Sequence, residues 1–287
     1  MSNILVECKG GLGNQLHCYF FFKVLSILKK QKIKFDLGSY NSDPYRRKYL
    51  LNRIINNKIQ VINKNFSFFY KIKKNILKFI SFFLPLKYKL FISDNGVYNS
   101  KILKTNYFFN PIFSGYWQSY KYYNGFEKII REEIKIPYIK NKKADILYKK
   151  IKQKESCFVH FRSYNEEFGN RLSVNYYKNA FNFISKRKKK VKFYIFSDDI
   201  KYAKFFFKNV NQKLFFIEIS EKSNEKKTLI EFNLMLNCKH SIIGDSTFSW
   251  WAAWIRYDKK KIIICPKGLV LTKKHWTPKN WIKFRAK

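Results

Sequence analysis

Three polar clusters stand where apolar runs end. Cys157-Phe158-Val159 leads into His160-Phe161-Arg162, so a histidine and an arginine lie two residues apart. Val191 to Phe196 is followed by Ser197-Asp198-Asp199, and His240 to Ile243 by Gly244-Asp245-Ser246-Thr247. Arginine offers a planar fork of donors that matches phosphate oxygens. Ser246 and Thr247, entering a helix start, add hydroxyls and backbone N–H groups that favour an anion. Asp198 or Asp199 can accept from the N–H edge of a purine such as guanine. Together these side chains describe a pocket for a nucleoside diphosphate. Each cluster alone has a plainer use: His-x-Arg as a surface pair, an aspartate before a helix as its cap, and the stretch from Ser246 to Trp254 as an aromatic core helix.

The clusters act together only if the chain brings them to one edge. Ile4-Leu5-Val6 reads as a strand, Gly10 to Gln15 as a glycine-rich turn, Leu16 to Leu28 as an apolar helix and Lys32 to Leu37 as a second strand. From Asp43 to Tyr138 no clean period appears, apart from a helix over Phe126 to Ile134. After Pro137 the alternation becomes regular. Strands are expected over Cys157–Phe161, Val191–Phe196, Leu214–Ile219 and His240–Ile243, with a closing strand from Ile262 to Cys265 stopped by Pro266. Helices are expected from Ser173 to about Lys186, from Asp199 through about Phe207, over Thr228–Leu236 and over Phe248–Ile255. This order predicts a parallel sheet with helices on both faces and right-handed crossovers. In such sheets ligands bind beyond the carboxyl ends of the strands. The domain boundary is expected near residue 140, giving domains over 1–140 and 141–287.

At 287 residues and 46% hydrophobic composition the chain can bury a large core. Its formal charge of +40 points to a polyanionic partner: a phosphorylated ligand, an anionic membrane surface or nucleic acid. The competing explanation is an A/T-rich codon bias toward Lys, Ile, Asn, Phe and Tyr, which would generate much of that charge without any binding role. Five cysteines form no CxxC pair and read as reduced, buried thiols of a cytosolic protein. The stretch Ile76 to Ile92 is interrupted by Lys78, Pro85, Lys87 and Lys89, too short and too charged to span a bilayer. It fits a buried helix and loop, or a helix lying on a membrane surface. No Asp-x-Asp occurs and the four histidines are scattered, so a metal clamp for a diphosphate has no obvious ligands. Arg162 is then the natural group to neutralise a departing diphosphate.

Four segments resemble the landmarks of the bacterial α-1,2-fucosyltransferases: Glu7 to Ser26 (ECKGGLGNQLHCYFFFKVLS), Val159 to Asn165 (VHFRSYN), Ile195 to Asp199 (IFSDD) and Gly244 to Ile255 (GDSTFSWWAAWI). The resemblance implies an α/β protein of two Rossmann-like domains of the GT-B kind, the first on the acceptor side and the second binding the nucleotide sugar. It implies GDP-β-L-fucose as donor, no required metal or other cofactor, and inverting transfer to a galactose 2-hydroxyl in a bacterial surface glycan. Carried onto this chain, His160 and Arg162 contact the nucleotide and its phosphates, Asp198 or more specifically Asp199 the guanine, and Ser246, Thr247 and Phe248 the diphosphate. Gly13, Asn14 and Gln15 form the opposing loop. The family pattern His-x-Arg-Arg-x-Asp is broken here by Ser163 and Asn165, with Lys9 and Arg171 as candidates to replace the lost charge. Glu166 and Glu167 are the candidate bases. The acceptor is expected to be a galactose-containing oligosaccharide, lipid-linked at the cytosolic face of an inner membrane, which a basic enzyme would touch peripherally. The competing readings are a glycosyltransferase using another nucleotide sugar and a basic, aromatic-rich nucleic-acid-binding protein. Six tryptophans, Trp117 among them, are candidates to stack on sugar faces, with core packing favoured for Trp250 and Trp254.

Overall fold

A computed structural model describes residues 3–56, 59–62, 68–163, 172–256, 258–267 and 275–287. The chain divides into two compact units, one of residues 1–135 with 274–276, the other of 136–273 with 277–287. The first contains β1 (Asn3–Glu7), α1 (Leu12–Lys29), β2 (Lys32–Asp36), α2 (Leu51–Ile54), β3 (Gln60–Ile62), α3 (Phe68–Phe83), β4 (Phe91–Ser93), α4 (Ser100–Lys104), β5 (Ile112–Ser114) and α5 (Glu127–Glu133). Its parallel sheet runs β3-β2-β1-β5-β4. The strands at and beyond β3 are three residues long, too short to show a period of two, which is why the stretch from Asp43 to Tyr138 reads as irregular. The core is aromatic: Phe21 stacks on Trp117 with centroids 4.3 Å apart, and Phe22 meets Phe113 edge-on at 5.2 Å.

The glycine turn is tighter than expected. Gly10 takes φ +83°, a conformation glycine adopts freely. Gly11 caps α1, and its carbonyl accepts from Asn14 N at 2.9 Å and Gln15 N at 3.0 Å. Gly13, Asn14 and Gln15, expected in a loop, therefore form the first turn of the helix.

The second unit contains α6 (Lys142–Gln153), β6 (Ser156–Phe161), α7 (Val174–Arg187), β7 (Lys192–Ser197), α8 (Ile200–Phe206), β8 (Leu214–Phe216), α9 (Asn224–Asn237), β9 (His240–Ile242), α10 (Thr247–Ile255), β10 (Ile263–Lys267) and β11 (Ile282–Arg285). Its six strands pair in parallel in the order β11-β10-β9-β6-β7-β8. Relabelled by sequence this is the 3-2-1-4-5-6 order of the doubly wound fold, and the order reverses between β6 and β9. Helices cover both faces as the alternation requires. Cys157, Val159 and Phe161 point toward α7 and α8, where they join Tyr177, Phe181 and Phe207 in one core. On the other face His160 meets Phe248 of α10, which packs on Phe232 of α9. The strand expected over Leu214–Ile219 ends at Phe216, the helix expected over Thr228–Leu236 runs Asn224–Asn237, and the closing end of the sheet differs most. The strand expected to close at Pro266 continues to Lys267, and β11 follows it. Proline removes only its own N–H, a small loss near a strand end.

The reversal is closely packed. A Cβ on Gly244, just past β9, would lie 2.7 Å from the His160 carbonyl oxygen and 3.3 Å from Nδ1 of its ring. Because the first of those atoms is backbone, relief requires β6 or β9 to move. Gly244→Ala is expected to destabilise the protein by about 1–3 kcal/mol, the range for overpacked interiors. Chemical denaturation checks this, and an unchanged midpoint would refute the close approach.

Candidate nucleotide-sugar site

The reversal between β6 and β9 is where a doubly wound sheet opens a crevice, and two of the three polar clusters flank it. Arg162 and Ser163 follow β6, and Asp245, Ser246 and Thr247 follow β9. Asp198 and Asp199 follow β7, the other neighbour of β6.

Asp198 ties the β6 and β7 ends together. Its Oδ1 accepts from Ser163 N at 2.9 Å and Ser163 Oγ at 3.1 Å, and its Oδ2 pairs with Arg162 Nε at 3.3 Å. Ser163, at the position where the fucosyltransferase pattern carries a second arginine, thus fastens the carboxylate that orients Arg162. The pair is half-exposed, so its contribution to stability is small, of the order of 0.2–1 kcal/mol. Its consequence is positional: the guanidinium is held at the surface of the strand edge.

His160 is buried. It lies inside β6, before the strand ends, on the face covered by α10, where it is 5% exposed against Phe248. Among the described residues its Nδ1 has no hydrogen-bond partner. Burial, reinforced by the Arg162 charge and opposed by Asp198, pushes its pKa down to about 3. The imidazole is therefore neutral at physiological pH, a hydrogen-bonding group and not a counter-charge. Of the histidine and arginine at this strand end, only Arg162 brings charge to the edge.

Asp199 serves as a helix cap, its Oδ1 accepting from Tyr202 N at 2.9 Å. Ser246 caps α10 by accepting from Phe248 N at 3.3 Å, with Thr247 opening the helix. Behind them Trp250, Trp251 and Trp254 are buried, Trp250 stacking on Trp254 at 5.7 Å. In the first unit Gln15 is fully employed: Nε2 donates to the carbonyls of Gly10 (3.0 Å) and Lys48 (2.8 Å), and Oε1 accepts from Leu50 N (2.8 Å). Asn14 Oδ1 accepts from Gln118 Nε2 at 2.9 Å, and Lys9 Nζ lies 5.3 Å from the Tyr116 ring centre. Trp117 is wholly buried with its face covered by Phe21. It borders a cavity of about 290 Å³ beside α3 and β4 that none of the predicted nucleotide-binding residues lines. Glu166 and Glu167, and with them Asn165 and Arg171, lie outside the described residues.

Two carboxyls have states that sequence position does not give: Asp245, already in the β9 cluster, and Glu231, which the sequence reading passed over. Asp245 is 4% exposed, and burial pushes it up to about 6. Glu231 sits in α9 within Leu229-Ile230-Glu231-Phe232, and burial pushes it up to about 7, with the Asp198 charge adding to the rise and Lys227 opposing it. A lone glutamate inside an apolar run is the signal that could have found it. A carboxyl titrating near neutrality can exchange a proton with a substrate hydroxyl.

The comparisons agree on the enzyme class. The model for "Glycosyl transferase family 11" matches residues 3–284. The chain belongs to glycosyl transferase family 11. The α-1,2-colitosyltransferase of Escherichia coli is 27% identical over 275 residues, 93% of this chain and 92% of its own. The O-antigen biosynthesis glycosyltransferase WbnK of Escherichia coli is 33% identical over 101 residues, 35% of this chain and 32% of that one. Among solved structures, fucosyltransferase NodZ from Bradyrhizobium superposes with a TM-score of 0.52 at 13% identity, covering 88% of this chain and 93% of its own. NodZ α-1,6-fucosyltransferase co-crystallised with GDP gives 0.50 at 13%, covering 88% and 92%. The family-11 chain is a glycosyltransferase of two Rossmann-like units, the GT-B-like architecture its motifs imply.

The Glu231 environment gives a pH signature. In the unfolded chain this carboxyl titrates near 4.5, and in the folded protein near 7. Between those values the folded state holds a proton that the unfolded state has lost, so stability falls as pH rises through the window. Glu231→Gln removes the effect. The thermal midpoint of the variant relative to wild type is expected to climb from pH 5 to pH 8, and a constant difference would contradict the buried-carboxyl assignment.

Proposed function

We propose that this glycosyltransferase takes a deoxyhexose from its GDP-linked form, L-fucose from GDP-β-L-fucose, and transfers it with inversion to the 2-hydroxyl of a galactose in a bacterial surface-glycan precursor. The reading is supported by the family match over residues 3–284 and by a relative named for α-1,2 transfer of colitose, the 3-deoxy counterpart of fucose. The observation that carries it is the pairing of one exposed cation, Arg162, with the Ser246-capped start of α10 on either side of the strand-order reversal.

Inversion requires the acceptor hydroxyl to approach the anomeric carbon opposite the leaving GDP. Bond breaking leaves the sugar oxocarbenium-like and gathers negative charge on the β-phosphate. Donors fixed in advance toward that charge lower the barrier most. Because His160 is neutral, Arg162 supplies the counter-charge, aimed by Asp198, while the α10 N-terminus supplies N–H groups. The proposed donor is used without a metal, with phosphate charge met by side chains and helix end. The colitosyltransferase relative favours GDP-colitose as the alternative donor. An O-antigen relative at the partial level favours a surface-glycan acceptor.

The test is a donor screen in EDTA with GDP-fucose, GDP-colitose and UDP-galactose against galactose-terminated acceptors, the product linkage being read by NMR. Transfer from a GDP-deoxyhexose to the galactose 2-position is expected, and Arg162→Ala is expected to lose on the order of 10²-fold in rate while keeping the wild-type thermal midpoint. Preferential use of the UDP-sugar, or a variant retaining more than about a tenth of the rate, would overturn the assignment.

A further inference from the structure

α3 is built inside out for a helix on a water-soluble domain. Its polar side chains face the sheet: Tyr70 OH donates to Asp36 Oδ2 at 2.9 Å, Lys74 pairs with the buried Glu7, and Ser81 Oγ accepts from Leu90 N and Phe91 N. These positions, with Leu77, recur at i, i+4, i+7 and i+11, a single helical stripe. The opposite stripe is apolar and exposed: Ile72, Ile76, Phe79, Ile80 and Phe83, joined by Phe82 at the last turn. Phe79, Phe82 and Phe83 are 68%, 78% and 69% exposed, and their only ring contacts among the described residues are with each other. The patch extends past the helix. Phe108, also 68% exposed, packs on Tyr88 at 5.7 Å, and its N–H donates to the Lys87 carbonyl.

The charge around this face selects its partner. Exposed Lys73, Lys78 and Lys87 border the aromatic stripe. From Phe68 to Ser93 there is no Asp or Glu, and the chain as a whole carries +40. Lysines whose stems lie along apolar surface place their ammonium groups at the height of lipid phosphates when the helix settles into an interface. No helix among the described residues is long and apolar enough to cross a membrane, so this contact would be in-plane. We propose that α3, with Phe82, Phe83 and Phe108, docks the first unit on an anionic lipid bilayer, the aromatic stripe entering the acyl boundary and the lysines meeting headgroup phosphates. This rests on the first unit's surface alone and holds whichever sugar the enzyme transfers.

A uniformly basic protein adheres to anionic vesicles by charge alone, so the test must separate insertion from adhesion. Sedimentation with phosphatidylglycerol–phosphatidylcholine vesicles at low and high salt would compare wild type with a Phe79→Ser, Phe82→Ser, Phe83→Ser variant, each checked for an unchanged circular dichroism spectrum. The variant is expected to lose at least about tenfold in vesicle affinity, most clearly at high salt where charge is screened. A Phe82→Trp protein is expected to show fluorescence quenching by brominated acyl chains, a readout that needs no loss of function. Three results would each overturn the proposal. They are wild type failing to sediment, the triple variant sedimenting like wild type, and a solution dimer that the triple variant dissolves, which would mean a second copy covers the face.

Discussion

The strand edge of the second unit depends on how near β6 and β9 can come at their carboxyl ends. Gly244 has no side chain where one would meet the His160 carbonyl at 2.7 Å. That contact places the turn into α10 beside the end of β6, at the point where the strand order reverses. From it follow the burial of His160 against Phe248, the loss of its charge, and the reliance of the edge on Arg162. Asp198 then fixes the arginine by bonding Ser163 and Arg162 at once. An ion pair in this setting contributes little stability. What it supplies is direction, which is what stabilising a charge that appears only in the transition state requires.

The C-terminal half was legible because β6 and β7 are six residues long and the alternation of strands with capped helices is punctuated throughout, which also marks the three-residue β8 and β9. Val159 and Phe161 alternate with His160 across β6, and Ser173, Asp199 and Ser246 each cap the helix they were expected to begin. β11 was missed because Pro266 reads as a terminator, whereas a strand needs to lose only one donor there. Gly13, Asn14 and Gln15 were placed in a loop because glycine reads as coil. Only Gly10 adopts the positive φ that needs it, and Gly11 already caps the helix. In the first sheet β1 and β2 were read, while the three-residue β3, β4 and β5 stayed hidden because strands so short carry no periodic signal.

The site was legible as a set of positions but not as a set of states. Sequence spacing put His160 and Arg162 at one strand end, yet His160 lies within β6 under α10, whereas Arg162 stands one residue past the end of β6 and stays at the surface. The apolar run around Glu231 hints at its burial, but its rise toward neutrality also depends on Asp198, which only folding brings near. The aromatic richness divides the same way. Trp250, Trp254 and Trp117 are core, while the phenylalanines of α3 are surface, and composition alone cannot tell the two apart.

The central claim is that the edge formed by β6, β7 and β9 receives a nucleoside diphosphate whose charge Arg162 meets. The most direct measurement is calorimetric titration of GDP, UDP and CMP into the wild-type protein and the Arg162→Ala variant in EDTA. The account predicts saturable binding with GDP preferred, weakened on the order of tenfold or more in the variant, in line with loss of a charge-assisted hydrogen bond. Equal affinity for the three nucleotides, or GDP binding that ignores the loss of Arg162, would contradict it.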